Sequence, residues 1–271
     1  MGLSLPWLLG LAAMLAYTAA AWPVHVRTRW PDVALAIGWL AHGAALCLDV
    51  VGYGSAVTGA RFGFAPALSA TVWIVIAVHA VESRLLPVPA VRLLLAASAA
   101  IVVLLAALYP GEARPHAGAG TAWLPLHWLL GVVSYGLFAV AVLHAWLLDG
   151  AERRLRGAPH PAPGGLPSGT LPLLQLERLT FRFVEVGFVV LSAALMLGAL
   201  LLPQWRLDHK TVLSLLGWAT FAVLIGGRHL RGWRGRHATR WVYAGALLLL
   251  LAYVGARFVL EVVLRRGGGG A

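Results

Sequence analysis

Eight apolar runs, each close to one bilayer thickness in length, leave this chain few ways to fold. A helix rises 1.5 Å per residue, so about 20 residues cross a hydrocarbon core of about 30 Å. The runs fall at about 3–22, 33–53, 64–81, 91–109, 126–148, 181–202, 210–228 and 241–263. In lipid the backbone finds hydrogen bonds only inside a helix or a closed barrel, and runs of this length select the helix. The composition agrees, with 60% hydrophobic and only 11% charged residues, against about a quarter charged in soluble domains. The fold class is therefore all-α: a polytopic integral membrane protein of about eight transmembrane helices. Residues 1–266 are expected to form one bundle, and 267–271, all glycine and alanine, a disordered tail.

The net charge of +11 would suggest nucleic acid in a soluble chain, but the arginines sit in short loops between apolar runs, where they set orientation. Loops after the first, third, fifth and seventh runs hold 14 of the 21 Lys and Arg, which predicts both termini outside. The long connection 149–180 then becomes a cytoplasmic loop, Pro/Gly-rich in its middle, whose end "LLQLERLTFRF" reads as the start of a helix. Nucleic acid is excluded as a partner, and the bilayer is the expected one. The N-terminus lacks a basic segment and reads as a retained span. The single cysteine, Cys47, excludes an intramolecular disulfide, a CxxC pair and a CxxCH haem attachment site.

The chemistry rests on histidine. His209 and His229 bracket the seventh run, and 20 residues of helix hold them about 30 Å apart, so they cannot share a ligand. His127 opens the fifth run, with Gly131, Ser134, Tyr135 and Phe138 on its face. Those small residues suit either close helix packing or room for a flat ligand. His42 lies about halfway through the second run with Trp39 and Asp49 on its face, so that stripe must turn towards protein. A functional histidine and a neutral, hydrogen-bonded one both satisfy that position. His79 and His144 lie near helix ends, where they could reach the interface; Glu185 stands three residues from Arg182, a local ion-pair spacing. Catalytic triads, phosphate-binding glycine loops, HExxH and paired carboxylates are all missing from the sequence, which argues against a hydrolytic enzyme.

Histidines at defined depths on several helices suit haem, whose iron takes axial imidazoles. At this point the chain resembles the cytochrome c assembly membrane proteins, CcsA/CcmC-like, which handle haem during maturation of c-type cytochromes, and within them the shorter YpjD-type inner-membrane branch. The resemblance is carried by "LAHGAAL" (40–46), "LHWLLGVVSYGLF" (126–138), "PLLQLERLTFRFVEVGFVVL" (172–191), "HKTVLSLLGW" (209–218), "GWRGR" (232–236) and "AGALLLLLAYVGARFVLE" (244–261). It implies a multi-pass protein of the bacterial inner membrane, not an enzyme, that binds haem b non-covalently and works beside other cytochrome c biogenesis membrane proteins. By resemblance His127 corresponds to an outer haem-iron ligand and His229 to a membrane histidine. Trp205, Asp208 and Lys210 match the family's W-x-W-D-x-K-E segment, while Leu207 and Thr211 depart from it. The outer histidine expected after the last span is missing, and His209 is the candidate to replace it. The expected cofactor set is therefore His127, His209, His42, His229 and Trp205, with His127 and His209 on the iron. Two other readings follow from the residues: a membrane scaffold that has lost haem handling, and a transporter using His42 and Asp49 as proton-coupling groups.

Overall fold

The structure is a computed structural model that describes residues 4–22, 28–53, 59–83, 89–115, 123–157, 173–201 and 208–264. Among the described residues eight long helices follow in chain order: α1 (Leu5–Ala20), α2 (Trp30–Val51), α3 (Phe64–Glu82), α4 (Pro89–Leu108), α5 (Trp123–Gly157), α6 (Leu173–Leu201), α7 (His209–Arg231) and α8 (Gly235–Leu250). Seven of these spans are long and apolar enough to cross a membrane, the last counted through Val263, and α1 is a shorter apolar helix of 16 residues. Large aliphatics on the spans stay exposed, among them Ile37, Leu40, Ile101, Val189 and Met196. Such surfaces are stable against lipid tails, which are as apolar as the side chains themselves.

Local chemistry sets the helix ends. Pro stands in the first turns of α1 and α2, where its missing N–H is not needed. Gly52 and Gly232 close α2 and α7 in the left-handed region, at φ 75° and 66°, returning N–H groups to the last carbonyls. Arg228, His229 and Arg231 crowd the final turn of α7, where cations complement the helix dipole.

Three features depart from the sequence reading. A two-stranded antiparallel ladder joins β1 (Gly59–Phe62) to β2 (Glu112–Pro115), and four-residue strands leave no alternating pattern to read. The expected loop 149–180 begins late, because α5 runs on to Gly157, while α6 begins at Leu173, at the "LLQLERLTFRF" stretch read as a helix start. Beyond Leu250 the last span continues as π-helical turns at Leu251–Gly255 and Val259–Val263 around a short α segment, Ala256–Phe258. The tail 267–271 lies outside the described residues.

The chain divides into two compact units. The first comprises Met1–Leu124 with Tyr253–Ala271. In it α1 packs on α2 and α4, and α3 on α4. Gly38 lets α2 close on the Tyr17 ring, and Gly43 lets it close on Trp73. Trp39 and Trp73 stack at 4.8 Å between centroids, and each indole N–H donates to the other residue's backbone carbonyl, at 3.0 and 2.9 Å. The second unit is Pro125–Ala252. Its centre is Phe138 of α5 stacked on Phe221 of α7 at 3.9 Å, with Gly187 of α6 against Phe138 and Gly245 of α8 against Phe221. The Tyr135 hydroxyl donates to the Leu249 carbonyl, just before the π turn where the regular ladder is interrupted.

Gly43→Ala tests the first of these contacts. A Cβ there would sit 2.8 Å from the Trp73 indole nitrogen, so the paired indoles must part. The expected cost is about 1–3 kcal/mol, read as a lower unfolding midpoint in detergent.

Candidate functional site

The sequence-selected histidines differ most in what their ring nitrogens already hold. His42 is only 2% exposed. Its Nδ1 lies 3.2 Å from the Tyr17 hydroxyl and its Nε2 2.7 Å from Ser69 Oγ. Both hydroxyls can donate or accept, so either neutral tautomer is fully satisfied. The ring also meets Tyr17 edge-on. His42 thus ties α1, α2 and α3 together and offers no open nitrogen in this arrangement. Asp49 forms an ion pair with Arg61 at 4.0 Å.

His127, half-buried at the start of α5, is held differently. Its Nδ1 lies 2.9 Å from the Ala194 carbonyl of α6. A carbonyl only accepts, so Nδ1 carries the hydrogen, and in the neutral ring Nε2 keeps its lone pair. Among the described residues Nε2 takes no hydrogen bond. Gly198, one turn beyond Ala194, leaves the space the ring fills, since a Cβ there would lie 2.8 Å from Cε1. A ring nitrogen anchored on a carbonyl while the other stays open is the usual preparation of a metal-binding histidine. Lys210, in the first turn of α7, lies near enough for its charge to be felt at His127.

His209 is the first residue of α7 and is exposed. Asp208 before it caps the helix, accepting the Thr211 N–H at 2.8 Å. That bond holds the Asp208 carboxyl below the ordinary carboxylate range. At the other end of α7, His229 Nε2 lies 3.2 Å from Glu185 Oε1. Glu185, spaced to pair with Arg182, is thus engaged across helices with α7. His79 and His144 are buried; His144 donates to the Val140 carbonyl and stacks on Phe183. Trp205 lies outside the described residues.

The described residues therefore bring together His127, Ala194, Gly198 and the opening of α7. They hold no group of three or more His, Cys, Asp or Glu side chains placed to bind a metal ion. An open ring nitrogen such as that of His127 is nonetheless one of the axial donors that haem iron takes. The Ala194 contact escaped sequence reading because a backbone carbonyl has no signature. Ser69 escaped it because a lone serine on an apolar helix usually bonds its own backbone, and Tyr17 because its partner lies 25 residues along the chain.

Two outcomes are expected here. Ser69→Ala leaves a nitrogen of buried His42 without its partner and costs about 1–3 kcal/mol, measured by denaturant titration in micelles. Asp208→Ala removes the cap and costs the first turn of α7 about 1 kcal/mol at neutral pH, measured by amide protection factors. The folded carboxyl has the lower pKa, so the cap contributes fully above about pH 4 and its contribution fades as pH falls through that lowered value.

Comparison with known proteins gives consistent matches. A family model described as "Cytochrome C assembly protein" matches residues 44–264. The chain is 32% identical over 171 residues to inner membrane protein YpjD of Escherichia coli K12, covering 62% of this chain and 63% of that protein. It is 36% identical over 155 residues to a 28.8 kDa protein of Azospirillum brasilense, covering 54% and 55%. Against cytochrome c biogenesis protein CcsA of a Synechococcus strain it is 29% identical over 107 residues, covering 37% and 31%. The chain spans less than two thirds of the length of these curated relatives. No solved structure matches it.

Proposed function

Since the chain belongs to the cytochrome c assembly protein family, we propose that it is a haem-binding, non-catalytic component of cytochrome c biogenesis in the bacterial inner membrane. The observation that carries this reading is the His127 ring, with Nδ1 on the Ala194 carbonyl and Nε2 open. His127 would hold the iron through Nε2, and His209, at the opening of α7, is the candidate for the second axial position. Trp205 is proposed to shield the macrocycle. Bound haem supplies a redox-active iron and a planar apolar face.

This chain's own residues do three things towards that. Ala194 fixes the His127 tautomer and ring direction, which raises the basicity of the open nitrogen. Gly198 admits the ring. Asp208 caps the helix that carries His209. A protein built this way needs no acid–base or nucleophilic group, in keeping with a holding role. His229 is proposed as an inner ligand through Nδ1, because Glu185 occupies Nε2. His42 would join it only by giving up Tyr17 or Ser69, and its paired state also weakens the transporter reading. Partners are proposed among other cytochrome c biogenesis membrane proteins.

The test is an absorption spectrum of detergent-purified protein, oxidised and dithionite-reduced, with a pyridine haemochrome assay. The expected result is a b-type spectrum at near one haem per chain. His127→Ala is expected to lower haem affinity at least tenfold, and Gly198→Leu, which pushes the ring off Ala194, about tenfold or more. A colourless protein that takes up no added haem would refute the reading and favour the scaffold. Unchanged haem affinity in His127→Ala would remove the ligand assignment.

A further inference from the structure

The turn between α7 and α8 contains a cavity whose arginines have no part in the proposed haem site. It has a volume of about 330 Å³ and is lined by Arg228, His229, Gly232, Trp233 and Arg234, with no carboxylate among the lining residues. That is near the lower end for ligand pockets. One carboxylate, Glu177 of α6, serves both arginines: Arg228 Nη1 at 3.1 Å and Arg234 Nε at 3.5 Å. A second carboxylate, Glu185, stands at the lining His229, at 3.2 Å, so the excess of positive charge is confined to the two guanidiniums that share Glu177, each of which has further N–H donors beyond the one it gives.

The site is held firmly. Arg228 lies 3.6 Å from the centre of the Phe181 ring, and the Trp233 ring closes on Gly227, where a Cβ would come within 2.4 Å. Trp233 also meets His237 edge-on and stacks near Trp241. Leu230, 87% exposed, projects from the same end of α7. An apolar spanning helix, two indoles, an exposed leucine and two guanidiniums around the connection from α7 to α8 form the pattern expected where hydrocarbon gives way to headgroups.

We propose that this cavity binds the headgroup phosphate of an anionic phospholipid. The guanidiniums offer charge-assisted hydrogen bonds to the phosphate oxygens, Trp233 borders the glycerol region, and acyl chains continue along the apolar face of α7 beside Leu230. Basic pockets between spanning helices are a recurrent way of holding acidic lipids. The phosphate contacts come from Arg228 and Arg234 and require neither His127 nor the ring of His229, so they do not depend on the proposed haem ligands.

Native mass spectrometry of the full-length protein, with equal amounts of phosphatidylglycerol and phosphatidylcholine added to the micelles, tests this. A retained phosphatidylglycerol adduct is expected, in excess over phosphatidylcholine. Arg234→Gln, at a side chain 69% exposed, is expected to cut adduct occupancy about tenfold. Arg231→Gln, a nearby exposed arginine that does not line the cavity, is expected to leave it unchanged. The Arg228→Gln/Arg234→Gln double variant, checked for helix content by circular dichroism, should lose the adduct. Wild-type occupancy in either Arg234 variant, or equal retention of both lipids, would overturn the proposal. Displacement of the adduct by millimolar inorganic phosphate would overturn it in favour of a free oxyanion site.

Discussion

A backbone amide moved from water into hydrocarbon must find its hydrogen bond in its own helix, and this chain is built around that requirement. With the backbone closed, helices gain little by leaving lipid for one another, so association depends on close fit and on the few polar groups that remain. Both devices are visible. Gly38, Gly43, Gly187 and Gly245 each receive an aromatic ring, from Tyr17, Trp73, Phe138 and Phe221. Where the ladder loosens near the π turn of the last span, Tyr135 reaches the Leu249 carbonyl from α5.

The same requirement sorts the histidines. A buried imidazole with both nitrogens occupied is a structural tie, and His42 between Tyr17 and Ser69 is one. An imidazole with one nitrogen on a carbonyl and the other open is prepared for a ligand, and His127 on Ala194 is one. Both sit on apolar helices, and their sequence surroundings do not separate them. The difference comes from neighbours 25 and 67 residues away in the chain.

Charge is concentrated where helices leave the apolar layer. Arg228 and Arg234 share Glu177, His229 meets Glu185, and Arg257 lies between Glu112 and Glu261. Each carboxylate comes from another part of the chain except Glu261, one turn from Arg257. Such pairs anchor helix ends, and around α7 and α8 the guanidiniums outnumber the carboxylate they share. That excess makes the turn suited to an acid of the membrane surface.

By itself the sequence determined the helical class and the approximate extent of the spans, seven of which are long enough to cross while the first is a shorter apolar helix. Hydrophobic run length and loop arginines are local properties, and the bilayer reads them locally. The resemblance read from six short stretches agrees with the family match over 44–264. Tertiary structure alone decided that His127 is anchored through one nitrogen on a carbonyl, that Glu185 meets α7, that β1 pairs with β2 across the 49 residues between Phe62 and Glu112, and that Arg228 and Arg234 converge on Glu177. These depend on backbone carbonyls and on partners far along the chain, and neither leaves a periodic or compositional mark in one sequence.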